Sequence, residues 1–300
     1  MKGLALAEEY YRNIGLPVIE KHFPNNIKRM AFGLAGEGSD CFGYDDEISR
    51  DHDWGAGFCI WLTDEDYERF GEKLAEVYAG LPEGGYPIRY TTEQAIGRVG
   101  VIRINSFFYR YLGAKTPPKD LVKWLQIPEE GLALVTNGRI FQDNLGEFTR
   151  LRERYLNGYP KDVWLKKLAA KLAKAARAGQ YQLPRCQKRG DVVASTIALS
   201  DFLNAAMGIC YLLEGRYMPF FKWRRRGLED LSLPQGLAPK HFDDVVHNTD
   251  MVEYICECIA KELQNRGITA GKFEFLQDCG LEVFDQIQDP ALRQLHFLVE

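Results

Sequence analysis

At 300 residues, with 46% hydrophobic and 27% charged side chains, the chain has the composition of a globular protein with one large domain or two ordinary ones. A net charge of −4 argues against general coating of nucleic acid, and no stretch approaches the roughly 20 apolar residues of a membrane span. The start, Met1 to Glu9, lacks the apolar run of a secretory signal, and seven cysteines without a Cys-x-x-Cys pair read as reduced thiols in a cytoplasmic protein.

In chain order, residues 5–20 read as a helix carrying apolar Leu6, Tyr10, Tyr11, Ile14 and Leu16. Residues 30–35 are a short apolar run, expected as a buried strand, and Gly36-Glu37-Gly38-Ser39 follows as a turn. Residues 41–50 read as an irregular acidic loop. Residues 51–62 read as the next strand, rich in Trp54, Phe58, Ile60 and Trp61. Thr63 or Asp64 then caps a helix running to about Tyr78. Residues 99–104 form a third strand candidate, and 132–135 with 138–141 suggest a hairpin around Thr136-Asn137.

From about Leu145 the pattern is helical almost to the end. Residues 161–178 place Leu165, Leu168, Leu172 and alanines on one side, and Lys166, Lys167, Lys171 and Lys174 mostly on the other. That lysine run is expected to be a solvated helix face. Further helices are expected over 190–214, 240–266 and 273–287, with Cys256 and Cys258 as buried thiols rather than metal ligands. The fold class predicted is α+β: a small mixed sheet in 1–150, then a helical bundle in 151–300, packed around a cleft. The two halves carry balances of −6 and +2, as an acidic metal-holding half and a basic phosphate-holding half would.

The informative stretch is Gly38-Ser39, eleven intervening residues, then Asp51-His52-Asp53. A Gly-Ser turn brings backbone N–H groups close to a phosphate. Two carboxylates at i and i+2 on a strand share a face and can hold Mg²⁺ against a nucleotide triphosphate.

Strand, glycine turn, loop and Asp-x-Asp together resemble the motif of the nucleotidyltransferase superfamily, shared by polymerase-beta-like and kanamycin-nucleotidyltransferase-like enzymes. The resemblance covers about residues 28–62 and, in domain order, loosely the whole chain. Residues 43–55 and 216–223 also resemble two signatures of an uncharacterised bacterial nucleotidyltransferase-like family.

That resemblance implies an enzyme using a nucleoside triphosphate and Mg²⁺, with two metals possible, to transfer a nucleoside monophosphate to a hydroxyl, a small-molecule acceptor being favoured over nucleic acid. The physical need is to neutralise anionic phosphoryl oxygens and align attack with departure. Asp51 and Asp53 are the expected metal ligands; as an alternative they are exposed strand-start residues. Ser39 is expected to contact phosphate, or only to complete the turn. Arg50 is expected to pair with the triphosphate or to be a surface cation.

Many members of the superfamily use a third acid on a later strand, and Val101-Ile102-Arg103-Ile104 carries none. Asp143 is the best stand-in by sequence, the alternative being an N-terminal cap for the helix near Leu145. Glu93, Asp45, Asp46 and Glu47 are weaker candidates. Lys222, in Lys222-Trp223-Arg224-Arg225-Arg226, is expected to reach the triphosphate, against a solvated turn or an RNA patch. The absent third acid also supports a catalytically silent reading, a nucleotide sensor or antitoxin-like partner-binding protein. His52-Asp53 does not suit a helical phosphohydrolase motif, and His241 and His247 do not share a helix face.

Overall fold

The computed structural model describes every residue except His52, Ile88, residues 90–96 and Phe273. It divides into two compact units: Met1–Pro117 with Gly131–Asn157, and Pro118–Glu130 with Gly158–Glu300.

The first unit begins with α1 (Gly3–Tyr10), which continues through a π-type turn, Tyr11–Gly15, into α2 (Leu16–His22). Strand β1 (Ala31–Leu34) leads into the short α3 (Ser39–Phe42), and β2 (Cys59–Leu62) into α4 (Asp64–Asp66) and α5 (Glu72–Ala79). The Thr63 side chain caps α4 by accepting from the Asp66 N–H at 3.1 Å. Strand β3 (Gly100–Arg103) precedes α6 (Ile104–Leu112). Helix α7 (Leu121–Leu125) belongs to the second unit, and α8 (Glu129–Thr136) begins there. Strand β4 (Arg139–Asp143) and α9 (Glu147–Leu156) complete the first.

The four strands form one mixed sheet in the order β3-β2-β1-β4, in agreement with the expected α+β class. Strand β1 is antiparallel to both neighbours, pairing Gly33 with Cys59 of β2 and Leu34 with Arg139 of β4. Strand β3 runs parallel to β2, with Cys59 opposite Gly100. Gly33 is required at the centre, because a Cβ there would lie 2.5 Å from the Arg139 carbonyl.

The central strands β1 and β2 are buried on both faces, which explains their unbroken apolar runs. Ile60 and Leu62 join Tyr11, Phe32, Phe58 and Leu74 on one face. Trp61, pointing the other way, stacks on Phe148 at 3.9 Å between centroids, beside Phe107.

Two strand expectations fail. The described residues of 51–58 are not strand: β2 starts only at Cys59, and Asp53 has a φ of 53°, in the left-handed region. Residues 132–135 are helix α8, so no hairpin forms; a four-residue apolar run does not distinguish a buried strand from a buried helix turn.

In the second unit, α10 (Lys161–Ala175) continues through a π-type segment, Ala176–Gln182, into α11 (Leu183–Lys188). Then come α12 (Val192–Leu213), α13 (Phe221–Gly227), α14 (Pro239–His247), α15 (Met251–Asn265), α16 (Leu276–Asp285) and α17 (Pro290–Gln294). Helix α10 packs against α12 and α16, and at Gly280 the approach of α16 is so close that a Cβ would lie 2.9 Å from the Ala169 carbonyl.

The lysine face of α10 is not solvated. Lys166, Lys167 and Lys171 are buried, because neighbours cover α10 on more than its leucine side. Each buried cation has compensation. Lys166 donates to the carbonyls of Leu295, His296 and Phe297, the shortest at 2.8 Å. Lys167 lies over the Tyr159 ring, 5.2 Å from its centroid. Lys171 pairs with Glu129 and Glu300.

One helix also departs from the expectation of no membrane-length apolar stretch. Helix α12, 22 residues long, contains an 18-residue window of mean hydropathy 1.5, of which 39% is buried in the protein. Its second half, from Phe202 to Leu213, supplies core residues, whereas Val192, Val193 and Ile197 are exposed.

Candidate active site

The sheet register gathers several chain segments at one end. Strand β1 leaves this end through residues 36–39; β2 and β3, whose first residues Cys59 and Gly100 are paired, both enter from it. The turn is shaped by glycine: Gly36 and Gly38 have φ values of 115° and 132°. A Cβ on Gly38 would lie 2.4 Å from the Asp40 carboxylate. Asn137 braces the turn, its side-chain amide bonding both the N–H and the carbonyl of Gly36 at 2.9 Å. Gly138 adds a bond from its N–H to the Cys41 carbonyl at 2.9 Å.

Asp53 reaches this end in an irregular segment. Its carboxylate accepts from Arg98 at 2.8 Å, and the same guanidinium meets Glu37 at 2.5 Å. Arg89 holds the segment from below, donating to the Asp53 carbonyl at 2.6 Å and pairing with the buried Asp40 at 2.5 Å. Arg110 approaches Glu37 at 3.9 Å. Three acids and three arginines thus interlock around the glycine turn. Cys41 and Cys59 lie buried beside it. Burial, reinforced by Asp40, pushes the Cys41 thiol well up, and burial pushes Cys59 up to about 12, so neither supplies a thiolate near neutral pH.

The residues singled out by sequence are distributed unevenly. Gly38, Ser39 and Asp53 belong to this end of the sheet. Asp51 is exposed two residues earlier. Because both lie off the strand, their spacing does not give them a common sheet face. Arg50 is exposed, its guanidinium 4.8 Å from the centroid of the Trp54 ring.

Asp143 stands at the opposite end of the sheet, paired with Ala31 at the start of β1. Its carboxylate is taken up locally, accepting from the Gly146 N–H at 2.8 Å and from the Thr149 N–H and hydroxyl at 2.9 and 2.8 Å. The register therefore does not bring Asp143 to the Gly-Ser turn. Asp45 is also structural: buried, it accepts from the Gly3 N–H at 2.8 Å and from the Trp54 indole at 3.0 Å. Asp46 bonds Ser49. His52 and Glu93 lie outside the described residues.

Lys222 belongs to the second unit, is exposed, and lies 5.1 Å from the Trp223 ring centroid. Arg224, two residues on, is the better-anchored cation of that run, bonded to Asn204 at 2.7 Å and Glu130 at 2.8 Å. Cys256 is buried and Cys258 half-buried. Among the described residues, no group of three His, Cys, Asp or Glu side chains is disposed to hold a metal ion.

Sequence reasoning missed Glu37, Asp40, Arg89 and Arg98. Glu37 had a visible signal, since it sits inside the Gly-x-Gly turn. Arg98, two residues before β3, had none without the sheet order.

Comparison with known proteins adds two matches. A family described as "Domain of unknown function (DUF4037)" matches residues 124–224. A crystal structure of a nucleotidyltransferase-like protein from Exiguobacterium sibiricum 255-15 is similar at 12% identity and a TM-score of 0.35, over 94% of this chain and 81% of that one. A search of curated proteins returns no match.

Proposed function

We propose that the chain is a nucleotidyltransferase, moving a nucleoside monophosphate from a Mg²⁺-associated nucleoside triphosphate to a hydroxyl of a small-molecule acceptor. The observation that carries this reading is the meeting of Asp53 and Glu37 on one cation, Arg98, at the sheet end where the Gly38-Ser39 turn leaves β1. Two carboxylates from separate segments already share a positive charge there. Such a donor set suits a hard cation whose remaining ligands are phosphate oxygens and water. Asp53 and Glu37 would hold Mg²⁺ there, and the ion would supply neutralisation of triphosphate charge and alignment of the attacking and leaving oxygens.

In this reading Asp51 and Asp53 are the metal ligands. Glu37, rather than Asp143, is the acid nearest to completing the set. The Gly38 and Ser39 N–H groups and the Ser39 hydroxyl face the phosphates, and Arg50 extends a further cation toward them. The acceptor hydroxyl attacks the α-phosphorus, the bond to the bridging oxygen breaks, and pyrophosphate leaves.

The test is pyrophosphate release from ATP, GTP, CTP and UTP with Mg²⁺, in wild type and in Asp53→Asn. Asparagine tolerates the left-handed backbone and keeps the hydrogen-bonding shape, so folding is expected to survive. Release is expected from the wild type and not from the variant; normal turnover by Asp53→Asn would sink the mechanism.

One observation favours a second reading, a nucleotide sensor or partner-binding protein of the same fold. Arg98 and Arg89 already neutralise Asp53, Glu37 and Asp40. Tight nucleotide binding without pyrophosphate release on any acceptor would select it.

A further inference from the structure

Buried Lys171 and half-buried Lys174 of α10 border a cavity of about 620 Å³ that lies wholly within the second unit. That size suits a small metabolite. Among its lining residues, four cations (Lys171, Lys174, Arg177 and Arg224) face two acids, Asp201 and Glu300. The lining itself presents more positive than negative charge to the cavity, while Glu129 and Glu130, which are not among the lining residues, pair with Lys171 and Arg224; this arrangement favours an anionic occupant.

Three features show that the cationic wall is built rather than incidental. The Lys171 side chain is only 7% exposed. Burial alone would lower its pKa, but the Glu129 and Glu300 carboxylates, at 3.3 and 3.1 Å, outweigh this and hold it raised and charged.

Space for Lys171 is provided by a glycine within a long helix. A Cβ on Gly208 of α12 would lie 2.8 Å from Lys171 Cδ and 3.1 Å from its Nζ. Glycine costs a helix interior about 1 kcal/mol relative to alanine, so its presence here needs a packing reason, and the lysine stem supplies one. The Arg224 guanidinium is fixed on the wall by Asn204 Oδ1 at 2.7 Å, the Pro219 carbonyl at 3.2 Å and Glu130 at 2.8 Å. A fork held in this way is preorganised for an oxyanion.

An anion already occupies part of this wall. Glu300 lies outside any helix and places its carboxylate against both Lys171 and Lys174. The segment leading to it is pinned by Lys166 through the carbonyls of residues 295–297.

We propose that this cavity is a binding site for a phosphorylated small molecule, and that the Glu300 carboxylate is its tethered stand-in, displaced when a phosphate enters. A phosphate dianion satisfies two cations that a single carboxylate now shares. Asn204 and Asp201 offer hydrogen-bonding groups for a hydroxylated body. The site is independent of the nucleotidyl-transfer reading, since none of its residues belongs to the first unit.

Calorimetric titration of the full chain with inorganic phosphate and ribose 5-phosphate, with ribose as the uncharged control, tests this. The two phosphate probes are expected to bind and ribose is not. Glu300→Gln is expected to tighten phosphate binding about tenfold by removing the competing charge. Lys174→Gln combined with Arg177→Gln, both at accessible positions, is expected to weaken binding at least tenfold without shifting the unfolding midpoint. Ser39→Ala is expected to leave it unchanged, which separates this site from the glycine turn of the first unit. The proposal is overturned if neither phosphate probe binds wild type or Glu300→Gln. It is also overturned if the two share one affinity, or if binding survives the Lys174/Arg177 double variant.

Discussion

Arg98 holds the carboxylate of Asp53 at 2.8 Å. The residue that sequence spacing marks as a metal ligand is therefore ion-paired, and the same guanidinium takes up Glu37. A cation arriving at this place competes with an arginine rather than filling an empty ring of acids.

That competition has a measurable sign. Arg98→Met leaves Glu37 and Asp53 as neighbouring carboxylates with their shared cation removed. The variant is expected to lose about 1–3 kcal/mol of stability at low salt. Added Mg²⁺ should return part of that loss, and should raise the variant's melting temperature more than the wild type's. Equal Mg²⁺ responses would mean that the two carboxylates do not form a cation site.

Asp143 is expected to behave as a structural residue. Its three bonds to Gly146 and Thr149 secure the start of α9. Asp143→Ala should cost about 1–2 kcal/mol in denaturant unfolding, the scale of a lost helix cap. Mg²⁺-dependent nucleotide affinity should stay at the wild-type value. A selective loss of nucleotide binding in a stable variant would reinstate it as a site residue.

Part of this was legible in the sequence and part was not. The apolar runs marked β1 and the core of β2, because a strand buried on both faces has no alternation to misread, and β3, half-buried, was marked by its short β-branched run. The Gly-x-Gly-Ser turn was legible because positive φ demands glycine. The conformation of residues 51–58 was not, since it depends on Arg89, whose side chain grips the Asp53 and Gly55 carbonyls from more than 30 positions away. Nor was the fate of the α10 lysines: a stripe of lysine reads as solvated unless the elements that cover it are known.

Asp66 governs an acid limb of stability. Burial pushes its carboxyl pKa up, but bonds from Arg29 at 2.6 Å and from Thr63 outweigh this and leave it lowered. A lowered folded pKa means stability that is fully present above the ordinary carboxylate value and is lost as pH falls through the folded one. Asp66→Asn is expected to cost about 1–3 kcal/mol at pH 7. Its deficit against wild type should shrink toward pH 3, as followed by urea unfolding across pH.

Lys166 acts at the other end of the scale. Burial pushes its pKa down to about 8. Between there and the ordinary lysine value the unfolded chain binds more protons, so wild-type stability gains with rising pH from this group. The stability of wild type relative to Lys166→Met should therefore climb from about pH 8 to pH 10.5. A flat difference would show that Lys166 keeps its proton in the fold.

The segment bearing Asp53 is fastened mainly by side chains, Arg89 and Arg98 on Asp53 and Asp45 on the Trp54 indole, and by one backbone bond from the Ala56 N–H to the Pro87 carbonyl, before β2 begins. None of these bonds belongs to the strand ladder. Amide protons of residues 53–57 should exchange through a local fluctuation far cheaper than global unfolding, while those of β1 and β2 wait for the whole unit to open. The candidate site can change its setting by exchanging arginine contacts, with the sheet left shut beneath it.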